Sequence, residues 1–455
     1  MRTWIKKSFF FICILILTGS DALFCQVPMQ QPPTTSGFNN FSIPNYTHPQ
    51  SLNKNPNIEI PLPGNQQQQN ARLIQEADRQ IALEQKAMQE ARADIEKFSS
   101  SIRYTLPSLS NVKGSELYRQ VFDKIISIGE DVSLKDVVFD IENAYFDNVL
   151  SKEKFERTIQ ESGQFLIQKM KEQGYDLNSN AAKNFMLFQY FSETLQLKST
   201  KEKHLPFTYD FDDYMGMQNH AKMFVTKLLE TGSGQCHSMP LLYLMLADEI
   251  QAEAYLALSP NHSYIRFPDD KRKWYNIELT NGMFSTTSYI LQSGYIKSEA
   301  LQNKIYMENL SKKELLANLL TDLTNGYIHK FGYDEFVADV INKALSLYPN
   351  SIHAQMFKAK VDMARFDYVI LQLGINPDDE VQRQKILEYP KVVQMLRDLN
   401  NQHLLIDNLG YEPMPQEAYE LWLQAMKQET QKQENEAISR QLEKILPKQI
   451  KTIKD

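Results

Sequence analysis

Three side chains in this sequence have the types and the chain order that nucleophilic acyl chemistry requires: Cys236, His262 and Glu278. Cys236 lies in TGSGQCHSMPLLYLML, where Gly232, Ser233 and Gly234 supply a permissive turn and PLLYLMLADEI reads as an apolar helix. A cysteine at or in the first turn of that helix meets unpaired backbone N–H groups and the positive end of the helix dipole, both of which favour a thiolate. The same N–H groups could bind an oxyanion. Pro240 fits a helix start near Cys236 or His237, because the first four helical residues need no intrahelical donor. The alternative is a small buried cysteine that serves only as packing.

The segment HSYIRFPDDKRKWYNIELT reads as a β-hairpin. With Pro268 to Arg272 as its loop, centred on Asp270, Arg266 stands opposite Trp274, Tyr264 opposite Asn276 and His262 opposite Glu278. Opposed residues on antiparallel strands share a face with Cβ atoms ~4.5–5.5 Å apart, so the spacing predicts contact between His262 and Glu278. Ile265, Phe267, Tyr275, Ile277 and Leu279 form the opposite, core-facing side, leaving a mostly polar face that lines water or a cleft. A slip of one residue would turn the histidine and the acid to opposite faces. Asn276 shares the acid's face two residues away and Gln235 immediately precedes the cysteine, which makes them the auxiliary candidates. His237 projects about 100° from its neighbour on a helix, so a structural or surface role is expected for it.

A cysteine at a helix N-terminus, then a histidine and an acid on adjacent strands, is the order found in transglutaminase-like proteins of the papain-like superfamily. GSGQCHSMPLLYLMLADEI resembles that family's glycine-then-cysteine helix, NHSYIRF its histidine strand, and WYNIELT the strand in which Trp precedes the acid by four positions. The resemblance covers roughly residues 205 to 300. It implies Cys236 as nucleophile, His262 as general base and acid, and Glu278 as the group orienting the imidazole. The family's third residue is usually Asp, so Glu278 must reach differently or yield the role to Asn276; Ser263 stands where many members carry an aromatic residue. The implied function is a cysteine hydrolase or acyltransferase acting on a peptide or amide bond, with hydrolysis favoured because water is the default acyl acceptor. The competing expectation is a non-catalytic scaffold that binds protein partners through this core and its helical repeats.

The elements that must position these residues suggest a multidomain α+β protein. Residues 71–204 and the chain beyond 300 carry helical stripes, such as Val138, Ile141, Tyr145 and Val149 behind an N-cap at Ser133, while 205–300 mixes one apolar helix with short β-like runs. ALSLYPNSIHAQMFKAK has the spacing of one tetratricopeptide-like unit, so residues 301–365 read as such helices and a site for a protein partner, and 366–455 as a further helical region ending in a solvated helix. Residues 26–70 hold eight prolines amid Gln, Asn, Ser and Thr, a composition that reads as a disordered spacer.

Residues 1–25 read as a secretory signal peptide. Three positive charges in MRTWIKK precede the apolar SFFFICILIL, which is too short to span a ~30 Å hydrocarbon core; a retained anchor is the alternative. The expected location is therefore secreted or periplasmic, with no stable membrane span after cleavage. Cys13 and Cys25 lie in or at the edge of the signal, so its removal leaves Cys236 alone and no intramolecular disulfide is expected to support the fold. The net charge of −7 and the lack of a basic stripe with interleaved aromatics exclude a nucleic-acid surface. No HExxH, paired CxxC or Walker loop occurs, so neither a metal nor a cofactor is expected, and the expected partner is a protein or peptide substrate.

Overall fold

The computed structural model describes residues 64–99, 102–129, 133–292 and 294–428. The expected signal peptide, the expected spacer up to residue 63 and the chain after 428 lie outside the described residues. The helices are α1 (Gly64–Ser99), α2 (Ser115–Ile128), α3 (Leu134–Tyr145), α4 (Lys152–Gln173), α5 (Asn180–Ser192), α6 (Val225–Thr231), α7 (Ser238–Glu249), α8 (Thr287–Leu291), α9 (Ser298–Gln302), α10 (Lys312–Phe331), α11 (Glu335–Leu347), α12 (Ile352–Gln372), α13 (Glu380–Gln384), α14 (Pro390–Asn408) and α15 (Gln416–Gln428). The strands are β1 (Leu195–Gln196), β2 (Lys203–His204), β3 (Thr208–Tyr209), β4 (Ser233–Gly234), β5 (Tyr255–Ser259), β6 (His262–Pro268), β7 (Trp274–Glu278) and β8 (Met283–Ser285). The protein is α+β: helices dominate, and its largest sheet is an antiparallel meander in the order β5-β6-β7-β8.

The chain forms two compact units. The larger contains Thr105–Ala364 and the chain from Leu399; the smaller contains Arg365–Asp398 and the described residues up to Tyr104. In the smaller unit Ile102, Phe366, Val369, Ile370, Ile386, Val392 and Leu396 make one apolar cluster. Gly64–Asn70, expected to close the spacer, instead open α1, in keeping with the good helix propensity of the glutamine run there. The segment expected as a tetratricopeptide-like unit folds as α11, the turn Tyr348–Ser351 and α12.

All candidate site residues belong to the larger unit, whose centre is α7. Met239 to Ala247 are buried on every side of this helix, which is the pattern of a helix enclosed by protein all round. Helices α4, α5 and α6 and strands β5 and β6 pack against it. Serine caps set the flanking helices in place: Ser133 accepts from the Asp136 N–H, Ser151 from Lys154 and Ser179 from Ala182. The stripe expected through Val149 is shorter than the spacing predicts, because α3 stops at Tyr145 and Asp147 and Asn148 take left-handed backbone conformations. Val149 is therefore exposed.

The β6–β7 hairpin differs from its expected register by two residues. Its loop is Asp269–Lys273, closed by the Asp269 N–H donating to the Lys273 carbonyl, while the Asp269 carboxylate accepts the N–H groups of Lys271 and Lys273. Arg266 consequently faces Asn276 and Pro268 faces Trp274. Because the slip is even, every side chain keeps its face. Both faces are buried, however: His262, Tyr264, Asn276 and Glu278 lie inside the protein as Ile265, Phe267 and Ile277 do. The expected solvent-lined polar face is a protein-covered one.

The central burial of α7 sets a stability expectation. Leu242→Ala should cost ~2–5 kcal/mol in urea unfolding, whereas Val149→Ala should change it by less than about 0.5 kcal/mol. Equal effects at the two positions would contradict this placement of the core.

Candidate active site

Cys236 is positioned by the backbone on both sides of it. Gly232 ends α6 in a left-handed conformation, with φ +68°. The short parallel pair β3–β4 then aligns Tyr209 with Gly234. A Cβ on Gly234 would lie 2.8 Å from Leu228 Cδ1 and 2.9 Å from Ser238 Oγ, so a side chain there would force those neighbours to shift. Helix α7 begins at Ser238, which places Cys236 just ahead of the first turn instead of within it. The Ser263 hydroxyl donates to the Cys236 carbonyl oxygen at 2.5 Å. The serine that replaces the expected aromatic residue thus ties strand β6 to the cysteine's backbone.

His262 opens β6 directly after a two-residue turn, Pro260–Asn261, in which Asn261 holds φ +54°. Its Nε2 lies 2.5 Å from Glu278 Oε2. The second Glu278 oxygen accepts the Thr280 N–H at 2.9 Å, which fixes the carboxylate's orientation. With Arg266 opposite Asn276, the register makes His262 and Glu278 diagonal neighbours, a separation of ~7–8 Å between backbones that suits a side chain one methylene longer than Asp. Nδ1, the ring's other polar atom, is buried without a hydrogen-bond partner. The Cys236 side chain lies near enough to act on the imidazole by charge.

Burial alone would push the imidazole pKa down, but the charges of Glu278 and Cys236 outweigh it and raise it to about 10. The imidazole is therefore protonated at neutral pH. Two phenols close the thiol's surroundings: Tyr419 Oη is 3.4 Å and Tyr209 Oη 3.6 Å from Cys236 Sγ. Burial, followed by the charge of Cys236, pushes both phenols well above the ordinary tyrosine range, so both stay protonated.

The structure thus brings Cys236, His262 and Glu278 together and leaves the auxiliary candidates apart. Asn276 faces Arg266 across the β6–β7 ladder. Gln235 is buried with its Nε2 donating to the Asp213 carbonyl oxygen. His237 turns away from the thiol toward Asp322, with Nε2 3.4 Å from Oδ2, beside a small cavity shared with Glu142 and His220. Burial lowers the His237 pKa to about 4 and raises that of Asp322 well above the carboxylate range, so this contact is not an ion pair at neutral pH.

Sequence reading missed the cover of the site. Helix α15, expected to be merely solvated, places Tyr419 on the thiol and Trp422 on the imidazole, with ring centroids 4.7 Å apart and edge-to-face. Met414 O accepts from Asn261 Nδ2 at 3.4 Å, and Glu420 accepts the Tyr214 hydroxyl. Cys236 is left only 1% exposed. The apolar spacing of Tyr419, Trp422 and Leu423 was a visible sign of a packed face, but nothing in it named the surface beneath.

Two measurements follow from this geometry. Trp422→Ala should speed iodoacetamide alkylation of native Cys236 by at least about tenfold, the equivalent of ~1.4 kcal/mol of lost cover; an unchanged rate would mean that α15 does not limit access. The second concerns pH. A raised histidine pKa stabilises the folded state fully below the unfolded value of ~6.5, and that contribution is lost as pH rises through about 10. The unfolding free energies of wild type and His262→Gln should therefore converge between pH 7 and 10.5, and a constant gap would contradict the assignment.

No protein-family model matches the chain, and none of the curated proteins matches it. Among solved structures it is similar to menin, in a crystal structure described as revealing the binding site for Mixed Lineage Leukemia (MLL) protein, at 12% identity and a TM-score of 0.29 over 76% of this chain and 97% of that one. A TM-score that low carries no argument about fold or function.

Proposed function

We propose that the protein is an exported, transglutaminase-like cysteine hydrolase or acyltransferase that acts on a peptide or amide bond. The observation that carries this reading is the buried imidazole of His262, held 2.5 Å from Glu278 on one side and coupled to the Cys236 thiol on the other. An imidazolium favours a thiolate nucleophile beside it. In the proposed reaction the Cys236 sulfur adds to the amide carbon, and the carbon–nitrogen bond breaks as His262 gives its proton to the departing amine. Water then attacks the thioester while the neutral imidazole takes its proton, which regenerates the thiolate and the imidazolium. Glu278 keeps the ring oriented throughout. The hydroxyls of Tyr209 and Tyr419, 3.6 and 3.4 Å from the sulfur, are polar groups suited to a negative charge at this position.

A second reading is favoured by the cover of α15: a scaffold in which the same residues are packed and no chemistry occurs. The two readings differ in reactivity. In the Trp422→Ala background, alkylation of Cys236 should stay fast at mildly acidic pH and slow at least about tenfold on His262→Ala, since the imidazolium is the charge that favours the thiolate. Cys236→Ser should remove any amide hydrolysis while keeping the unfolding midpoint. An alkylation rate that follows an ordinary thiol titration and ignores His262 would select the scaffold.

A further inference from the structure

The face of the sheet that carries His262 and Glu278 continues to a cavity of about 160 Å³ that the catalytic reading does not use. Its polar wall is Arg266 and Asn276, which are paired across β6 and β7, with Tyr264 beside them. Thr287, Leu291 and Leu301 form the other side, and the two leucines are 39% and 38% exposed. The volume is several times what one ordered water needs, so it admits a group of several heavy atoms.

Arg266 is the distinctive member. One guanidinium nitrogen donates to the Met307 carbonyl oxygen at 2.5 Å, and the Nε–H is buried without a partner. The planar group lies 5.5 Å from the centroid of the Trp274 ring. Among the described residues no carboxylate forms an ion pair with it: Glu278 is engaged by His262, and Glu308, next to Met307, is exposed and makes no such pair. The Asn276 side chain is buried beside it in the cavity wall. A permanently charged fork with open donors, an amide beside it and leucines at the mouth together fit one kind of ligand.

We propose that this cavity binds a carboxylate carried on a short apolar chain, the acid lying against Arg266 and Asn276 and the chain against Leu291 and Leu301. The binding does not depend on any reactivity of Cys236. Two sources present that chemistry, the free end of a peptide and an acidic side chain, and the ligands tested separate them. Isothermal titration of the full chain uses N-acetyl-leucine for the first, N-acetylglutamic acid α-amide for the second and N-acetyl-leucinamide as the uncharged control. At least one carboxylate should bind about tenfold or more tightly than the control, as expected for a charge-assisted pair. Arg266→Gln should weaken that binding at least about tenfold, Arg266→Lys should weaken it less, and Glu308→Gln should strengthen it by removing a competing charge. The wild-type comparison alone decides the matter if a variant fails to fold. Equal binding of acid and amide, no binding of either acid, or indifference of a folded Arg266→Gln would overturn the proposal.

Discussion

A buried imidazole needs a partner for its charge, and that requirement organises the centre of this protein. His262 is 2% exposed, and removing it from water costs free energy whichever protonation state it takes. The Glu278 carboxylate, itself fixed by the Thr280 N–H, supplies the charge that makes burial tolerable. Every element around the site serves this contact. The turn at Pro260–Asn261 starts β6 at the histidine, and the Asp269 loop sets the register of β7. Ser263 then binds the sheet to the segment ahead of α7 through the Cys236 carbonyl.

Helix α7 provides the rigid counterpart. Buried on all sides, it has no freedom to rotate without exposing apolar surface, so the thiol ahead of its first turn is held against the sheet. Gly234 contributes by having no side chain at a place where a methyl group would strike Leu228 and Ser238. Above the site, the aromatic residues of α15 keep water from both the sulfur and the ring. Low polarity strengthens the interaction of the imidazole with its two partners, and the same cover restricts what can reach the thiol.

The polar face of the β6–β7 hairpin therefore carries two different environments. At the His262 end the charged groups are paired and covered. At the Arg266 end, the guanidinium and the Asn276 amide border a cavity with an apolar mouth. Tyr264 separates them on the same strand, and its phenol pKa is pushed above the ordinary range chiefly by burial.

The α+β class, the apolar helix after Gly234, the strands around His262 and Glu278, and the shared face of those two residues were all legible in the sequence. The periods of two and 3.6 residues and the glycine, proline and asparagine turns are local properties that a chain cannot hide. The hairpin loop was not legible to within a residue: the decision rested on side-chain hydrogen bonds of Asp269 that several adjacent polar residues could have made. The error was even in register and left the faces intact; it also explains why a glutamate stands where a shorter acid was expected. What only the tertiary structure decided is the cover. Tyr209 and Tyr419 meet the same sulfur although they lie 27 and 183 residues from Cys236, and Trp422 meets the imidazole. Contacts over such separations leave no periodic trace, because each helix records only that one of its faces is buried and never what buries it.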